Sequence, residues 1–176
     1  TYHTFFMDPK TGAPVRGATC QGYKDDSCWA RGQAWGVYGT AISYRYTKRP
    51  EYLDAFRKVL AYYLDRLPDD LVPYWDMTFT SGDTEPRDSS SAAKYVGKEE
   101  AAEYTTLATQ MLGSVAEHYA VKEGPQGIGL VRHGTYSKKS PYNTCTPEGV
   151  DECVSWGDYF YMEALTRLTK DWELYW

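Results

Sequence analysis

Pro50 separates two segments that have a helical pattern, 28–46 and 51–67. In the second segment apolar residues recur every three or four positions, as they do on one face of a helix. Proline has no backbone N–H and blocks continuation of the first helix, and the cations Lys48 and Arg49 just before it suit a helix C-terminus. Because the connection is short, the two helices are predicted to form an antiparallel hairpin.

The rest of the chain alternates helical patterns with long irregular connections. Residues 1–24 are predicted to be a loop-like lead-in with one short extended piece at 2–7, and further helices are predicted over about 99–119 and from 151 or 152 to about 169. The connections are rich in proline and glycine, and long connections in a compact domain are usually functional or flexible. The predicted fold class is therefore all-α, built from helical hairpins.

Several short motifs predict helix starts and loop packing. The candidate N-caps are Asp25, Asp26 and Ser27 for the first helix, Asp88 and the serines after it for a short helix through Ala92, Ala93 and Val96, and Asp151-Glu152 for the last helix. Tyr74-Trp75-Asp76 lie in a long connection, where they either line a cleft or pin the loop to the core. The residues predicted to point inward from the last helix are Trp156, Tyr159, Phe160, Leu165 and Leu168.

The first turns of the first helix carry the main candidate for a binding surface. Arg31 and Trp35 are four positions apart and are predicted to share one helical face. A guanidinium binds a carboxylate through paired hydrogen bonds, and an indole covers the apolar face of a ring. Gly32 and Gly36 indicate close approach of a ligand or of another backbone. A tightly packed helix pair with an arginine on its rim is the alternative interpretation.

Composition narrows the class of ligand. The chain has 176 residues, a net charge of −5 and no basic run, which argues against nucleic-acid binding. Its 17 Tyr and 6 Trp suit a sugar-binding cleft, although aromatic residues also fill cores. An acidic protein that binds an acidic sugar must concentrate positive charge locally, and Arg31 is the candidate. No run of residues is long and apolar enough to predict a membrane span.

The cysteines do not predict a metal site. Cys20 and Cys28 are eight residues apart, as are Cys145 and Cys153, which is not the short spacing of a zinc site. Buried free thiols are the expected state, and a disulfide stays an open alternative. No metal or organic cofactor is predicted.

The run Ser27-Cys28-Trp29-Ala30-Arg31-Gly32-Gln33-Ala34-Trp35-Gly36 resembles the signature of the unsaturated glucuronyl hydrolases, glycoside hydrolase family 88. The resemblance extends over nearly the whole chain and is weakest over 137–146. The other matching motifs are His3-Thr4-Phe5-Phe6-Met7-Asp8-Pro9, Thr19-Cys20-Gln21-Gly22-Tyr23, Val72-Pro73-Tyr74-Trp75-Asp76, Pro86-Arg87-Asp88-Ser89-Ser90, Gly149-Val150-Asp151-Glu152 and Trp156-Gly157-Asp158-Tyr159. Unsaturated rhamnogalacturonyl hydrolases are the alternative, but they usually carry Asn-Gly where this chain has Gln33-Ala34.

The resemblance implies a fold and a missing partner. Members of the family are much longer than this chain and fold as (α/α)6 barrels. Residues 1–176 are therefore expected to be the C-terminal half of a single (α/α)6-barrel catalytic domain that ends naturally near Tyr175-Trp176. The N-terminal half of the barrel is the expected partner.

The resemblance also implies a reaction, the hydration of the C4=C5 double bond in a terminal unsaturated uronic acid. An aspartic acid with a raised pKa donates a proton to C4, water adds at C5, and the resulting hemiketal opens and releases the rest of the saccharide. The family's two catalytic aspartates lie upstream, so no catalytic residue is assigned here. The pairs Asp25-Asp26 and Asp151-Glu152 are better explained by helix capping, because neighbours in sequence do not face each other on a helix.

The residues that match the family's substrate contacts are His3, Gln21, Ser27, Arg31 and Trp35. Arg31 is expected to hold the uronate carboxylate or a neighbouring anionic group, and Trp35 to stack on the ring. His3 and Gln21 are expected to hydrogen-bond sugar oxygens or to place the water, and the Ser27 hydroxyl is a weaker candidate.

The expected ligand is an unsaturated uronide oligosaccharide of the glycosaminoglycan type, and the chain alone is expected to be inactive. The alternatives are a non-catalytic carbohydrate-binding module and a structural fragment of a split or proteolysed enzyme. The sequence leaves the compartment open between bacterial cytoplasm and periplasm.

Overall fold

The fold was analysed in a computed structural model that describes residues 1–92, 101–123, 129–138 and 150–171. The strands and helices are β1 (Thr4–Met7), β2 (Pro14–Ala18), α1 (Ala30–Thr47), α2 (Pro50–Asp65), α3 (Ala101–Ser114) and α4 (Ser155–Thr169). A short 3-10 turn covers Ser89–Ser91, and a π-helical turn, Val115–Tyr119, follows α3. The fold is mainly helical, as predicted, and its apolar core lies between α1, α2, the end of α3 and the loop over 72–77.

The predicted hairpin of α1 and α2 is confirmed. The two helices pack against each other through side chains that include Val37, Phe56 and Leu60. Lys48 ends α1 in the left-handed conformation, with φ 57°, and its N–H donates to the Tyr44 carbonyl at 2.8 Å. Pro50 occupies the first turn of α2, where a missing N–H removes no helical hydrogen bond.

The predicted capping of α1 by Asp25, Asp26 and Ser27 is wrong. Trp29 is the N-cap residue and makes no side-chain capping bond. Backbone pairing with the 75–77 loop holds the helix start instead: Ala30 N–H donates to the Trp75 carbonyl at 3.0 Å, and Met77 N–H donates to the Cys28 carbonyl at 2.8 Å. Because the loop satisfies these groups, the carboxylates and the hydroxyl are left for other partners. One of them, Asp25, accepts from the Thr19 N–H at 3.0 Å.

The lead-in contains an antiparallel ribbon that was predicted only in part. The extended piece at 2–7 corresponds to β1, but β2 was predicted as loop because Pro14 and Gly17 interrupt it. Its register places Thr4 opposite Ala18 and Phe6 opposite Arg16. A Cβ at Gly17 would lie 2.1 Å from the Tyr2 ring, so this glycine allows an aromatic side chain to cover the strand.

The connection between α2 and the 3-10 turn is pinned to the core. Trp75 and Asp76 are fully buried, and the Trp75 indole N–H donates to Glu85 at 3.0 Å. Of the two alternatives for this loop, pinning to the core is therefore confirmed. Asp88 does not cap a helix through its side chain, because that carboxylate is buried against Arg31. Ala93 and Val96 lie outside the described residues.

The two remaining helices differ in how far their apolar residues are buried. The apolar residues at the end of α3 and in its π-helical turn are buried, at Met111, Leu112, Val115 and Tyr119. Residues 99 and 100 lie outside the described part. α4 begins at Ser155, later than predicted, because Asp151 and Glu152 are held by the 133–134 segment. Tyr159 and Leu168 are half-exposed, so their predicted inward orientation is wrong.

Cys20, Cys28 and Cys153 are free thiols, and Cys145 and Tyr175-Trp176 lie outside the described residues. Cys28 is the buried member, and burial raises the pKa of its thiol. Within the described ranges, no helix has the length and apolar character that crossing a membrane requires. The same residues contain no group of three His, Cys, Asp or Glu side chains placed to hold a metal ion.

Candidate functional site

Four aromatic side chains and one histidine meet at the first turn of α1, and we call them the aromatic cluster (His3, Trp29, Trp35, Tyr136 and Trp156). The His3 ring lies on Trp29 with centroids 4.5 Å apart, and Trp35 meets Trp29 edge-on at 5.5 Å. Tyr136 and Trp156 form a second pair at 5.6 Å. Residues from four separate parts of the chain are thereby brought together.

Arg31 joins the two halves of this cluster. Its guanidinium carbon lies 4.7 Å from the Trp29 ring centre and 4.9 Å from that of Trp156. A cation over an indole face is attracted by the ring's negative charge, and the attraction is larger when water is excluded. Arg31 therefore fixes the distance between the Trp29 side and the Trp156 side of the cluster.

Two of the three glycines of α1, Gly32 and Gly36, make room for neighbouring side chains. A Cβ at Gly32 would lie 2.9 Å from the Trp29 indole, so the glycine lets that ring lie along the helix. A Cβ at Gly36 would lie 3.1 Å from a methyl group of Val59 on α2. The prediction was close approach of a ligand or of another backbone, but the groups nearest these glycines are side chains, of Trp29 and of Val59 on α2.

Both Nη atoms of the Arg31 guanidinium are engaged by the protein. Its Nη1 lies 3.5 Å from the Asp88 carboxylate and donates to the Ser90 hydroxyl at 3.3 Å. Its Nη2 donates to the carbonyls of Thr135 and Tyr136 at 3.1 and 2.7 Å. Burial lowers the pKa of Arg31, and the nearby Asp88 charge opposes that shift. The arginine is thus a buried cation with a buried counter-ion.

Asp88 has the raised pKa of a proton donor, but it lacks the access to a substrate that a proton donor needs. Burial raises the pKa of its carboxyl, against the opposing effects of Arg31 and of the Ser90 hydroxyl, which donates to it at 2.5 Å. A proton donor must also reach the substrate, and Asp88 has no exposed surface. Its geometry is that of a counter-ion that holds Arg31.

The expected open surface of Arg31 and Trp35 needs correction. Arg31 is 2% exposed and Trp35 is 53% exposed, although the two residues are one helical turn apart. The 135–136 segment and Trp156 cover the guanidinium, while nothing described covers the outer face of the Trp35 indole. Helical spacing puts both residues on one side of α1, but contacts with distant segments bury only Arg31.

His3 belongs to the aromatic cluster, and Gln21 lies beside it. The backbone N–H of Cys20 donates to His3 Nδ1 at 3.2 Å, and Gln21 Nε2 donates to the Tyr136 carbonyl at 3.2 Å. Both side chains are half-buried. Burial, and then the positive charge of Arg31, lower the pKa of His3.

Ser27 points away from the cluster. Its hydroxyl donates to the fully buried Asp76 carboxylate at 2.6 Å and accepts from the Lys24 N–H at 3.1 Å. The same carboxylate accepts from the Tyr23 N–H at 2.9 Å. Ser27 therefore ties the helix start to the 75–77 loop.

The sequence interpretation missed Trp29, Tyr136, Trp156 and Asp88 as members of this site. Trp29 sits inside the recognised signature, so its position was a usable signal. Tyr136 and Trp156 approach Arg31 from more than a hundred residues away, and no local pattern predicts that contact. Among the described residues the indole N–H groups of Trp29 and Trp156 find no hydrogen-bond acceptor, and buried polar groups without a partner are few in folded proteins.

The fold resembles that of solved unsaturated glucuronyl hydrolases. A crystal structure of that enzyme from Streptococcus agalactiae matches with a TM-score of 0.86 and 44% identity, over 99% of this chain and 46% of that chain. A mutant of the S. agalactiae enzyme complexed with dGlcA-GalNAc6S matches with a TM-score of 0.81 and 44% identity, over 99% of this chain and 48% of that chain.

Among curated proteins, an unsaturated chondroitin disaccharide hydrolase of Streptococcus pneumoniae is 45% identical over the whole chain and 46% of its own length. No family model matches the chain. The predicted resemblance to unsaturated glucuronyl hydrolases is confirmed along the whole chain, which corresponds to their C-terminal part. The chain spans about half the length of the curated relatives it matches.

Proposed function

We propose that this chain is the substrate-binding half of a hydrolase that removes the terminal 4,5-unsaturated uronic acid from glycosaminoglycan oligosaccharides. The reaction is hydration of the C4=C5 bond, followed by opening of the hemiketal and release of the remaining saccharide. One observation carries the proposal: four of the five predicted contacts, His3, Gln21, Arg31 and Trp35, are joined through one cluster. Ser27 is the exception.

Three of these side chains, which together with Tyr136 we call the open edge (His3, Gln21, Trp35 and Tyr136), are proposed to contact the sugar. The exposed indole of Trp35 offers a flat apolar face to the C–H groups of a pyranose ring. His3 and Gln21 offer polar atoms beside it. Tyr136, which is 40% exposed, adds a second aromatic surface.

Arg31 is proposed to act from beneath this edge. Its positive charge lies under Trp29 and beside the Tyr136 carbonyl, so it favours an anionic sugar at the surface above. It also holds the rings of the cluster in place. In this arrangement the arginine contributes a positive electrostatic potential and positions the aromatic rings. The sugar carboxylate is bound by other groups, which face the cleft.

The fold is proposed to be half of an (α/α)6 barrel, with residues 1–176 forming its C-terminal half. Support comes from the packed hairpin of α1 and α2 and from the share of the relatives that the chain spans. The half-exposed apolar residues of α4, such as Met162 and Leu168, are the kind of surface that another part of a barrel covers. The proton-donating aspartate is assigned to that other part.

The test uses an unsaturated chondroitin disaccharide and the ultraviolet absorbance of its double bond. The chain completed by the N-terminal part of the barrel is expected to abolish the absorbance, and the chain alone is expected to leave it unchanged. Turnover by the purified chain alone would contradict the division of roles. A completed enzyme that binds the disaccharide without consuming it would favour a non-catalytic carbohydrate-binding module.

A further inference from the structure

The two ring nitrogens of His3 have different surroundings. The backbone N–H groups of Cys20 and Gln21 point at Nδ1 from 3.2 and 3.4 Å, and the Thr19 hydroxyl lies 3.3 Å from the same atom. A backbone amide can only donate, so two amides directed at one ring nitrogen require that nitrogen to accept. A neutral ring that accepts at Nδ1 carries its proton on Nε2.

The alternative ring states conflict with the same contacts. Turning the ring over would exchange Nδ1 for a C–H group and leave both amides without this acceptor. A buried donor that loses its partner costs about 1–3 kcal/mol. Protonating Nδ1 would direct its N–H group at the N–H groups of Cys20 and Gln21, and none of the three would then have an acceptor there. The turn that carries Cys20 and Gln21 therefore selects one tautomer of His3.

The electrostatic surroundings oppose a charged ring. His3 is stacked on Trp29 with an interplanar angle of 35°, and Arg31 on α1 is the charged group that faces it. Cys20 is the titratable residue of the turn, and its sulfur lies 3.9 Å from the Thr4 hydroxyl. Within the described residues no carboxylate pairs with His3. Burial and the Arg31 charge lower the pKa of its imidazole.

The second nitrogen is free to serve a ligand. His3 is half-buried, and in the described part of the chain its Nε2 makes no hydrogen bond. The ring is thus held by one nitrogen and by its stacked face, while the other nitrogen keeps a proton with no acceptor. A donor that is fixed before the ligand arrives loses little entropy on binding.

We propose that His3 acts as a hydrogen-bond donor that is uncharged at neutral pH, presenting its Nε2–H to a sugar oxygen, and that it takes no part in proton transfer. The proposal rests on the proposed function of the open edge. It assigns the ligand chemistry at this point: an oxygen acceptor, such as a hydroxyl, ether or carboxylate oxygen, and not an amine or another donor. His3 is then a specificity residue, and acid–base chemistry belongs elsewhere.

The first test needs no substrate. Nitrogen-15 spectra of the imidazole groups in the labelled chain distinguish a protonated ring nitrogen from an unprotonated one. At neutral pH His3 is expected to show an unprotonated Nδ1 and a protonated Nε2. The variant Thr19→Val removes the hydroxyl but keeps both amides, so it should keep this tautomer. A proton on Nδ1, or a doubly protonated ring at neutral pH, would overturn the proposal and leave the proposed function standing.

The second test compares two variants in the completed enzyme. Glutamine places an amide N–H near the position of Nε2 and does not titrate, whereas leucine removes the donor. His3→Gln is expected to raise KM by about threefold and His3→Leu by about tenfold, because only glutamine keeps an N–H donor near the position of Nε2. Both should keep the parent's pH profile for kcat.

Equal losses in kcat for His3→Gln and His3→Leu, or loss of one limb of the pH profile in both, would show that the ring transfers a proton. Circular dichroism of both variants checks that they fold. If the parent enzyme leaves the double bond intact, the proposed function fails instead. The nitrogen-15 result still decides the tautomer in that case.

Discussion

Two layers of the site differ in how completely their polar groups are used. The buried layer (Arg31, Asp88 and Ser90) is almost inaccessible, and both Nη atoms of its guanidinium are engaged. Within the described residues, Asp88 Oδ2 is held by its ion pair with Arg31 and accepts no hydrogen bond. The open edge keeps unused capacity, because neither His3 Nε2 nor Gln21 Oε1 has a hydrogen-bond partner within the described residues. Groups whose hydrogen bonds are made within the protein stabilise the structure, and groups that still lack a partner can bind a ligand.

The largest expected effect is loss of stability on breaking the buried layer. Arg31→Ala leaves the Asp88 carboxylate buried without its cation, which should lower the free energy of unfolding by about 3–5 kcal/mol. Chemical denaturation of the chain measures it. Lys58→Ala, on the exposed face of α2, is the control and should change stability by less than about 0.5 kcal/mol. Equal unfolding midpoints for the two variants would place Arg31 among the ligand-binding groups instead of the scaffold.

The variant Ser27→Ala tests whether Ser27 stabilises the fold or binds the ligand. Its hydroxyl is one of the donors to the buried Asp76 carboxylate, and a hydrogen bond to a charged group contributes about 1.5–3 kcal/mol. Ser27→Ala should lower stability by that amount while leaving KM for the unsaturated disaccharide unchanged. A raised KM with unchanged stability would show that Ser27 contacts the ligand, as the family motif implies.

The first helix shows which features the sequence could predict and which it could not. The hairpin of α1 and α2 followed from Pro50 and from local apolar spacing, because both signals act between residues close in sequence. The caps of α1 were mistaken, since capping residue types also serve distant partners, as Ser27 serves Asp76. Helix propensity gives no information about which of several partners a hydroxyl finds.

The sequence named several residues that the structure brings together, but it did not predict their geometry. The motif predicted His3, Gln21, Ser27, Arg31 and Trp35 as substrate contacts, and the structure joins all of these except Ser27 through Trp29 and Tyr136. Their contact with a substrate stays a prediction. The covering of Arg31 was not predictable, because Thr135 and Trp156 reach it from distant segments. Exposure depends on these long-range contacts, which helical spacing does not encode.

A smaller effect on stability but a clear effect on binding is expected at Trp35. Trp35→Ala should lower the free energy of unfolding by about 1–2 kcal/mol, less than Arg31→Ala does, because half of the indole is already in water. Loss of the stacking surface should weaken binding of the unsaturated disaccharide by about tenfold. Calorimetric titration of the completed enzyme measures it.

Tyr46→Ala provides the matched control for Trp35→Ala. Tyr46 is 60% exposed in the last turn of the same helix, so its loss removes a similar aromatic surface far from the cluster. Binding by this variant should equal that of the parent. If both variants bind as the parent does, the open edge is an ordinary exposed surface and the contrast with the buried layer has no functional meaning.

The smallest expected effect is a pH dependence of stability that comes from His3. Because folding lowers the pKa of this imidazole below its ordinary value of 6.5, the unfolded chain binds more protons near that pH. The contribution of His3 is complete above the unfolded pKa and is lost as the pH falls through that value toward the folded one. His3→Gln removes the titrating group, so its stability should vary less over this window than that of the parent. Denaturation midpoints at several acidic pH values measure the difference. Parallel curves for parent and variant would mean that the ring accepts a second proton without cost, and the open edge would then carry a cation where a neutral donor is expected.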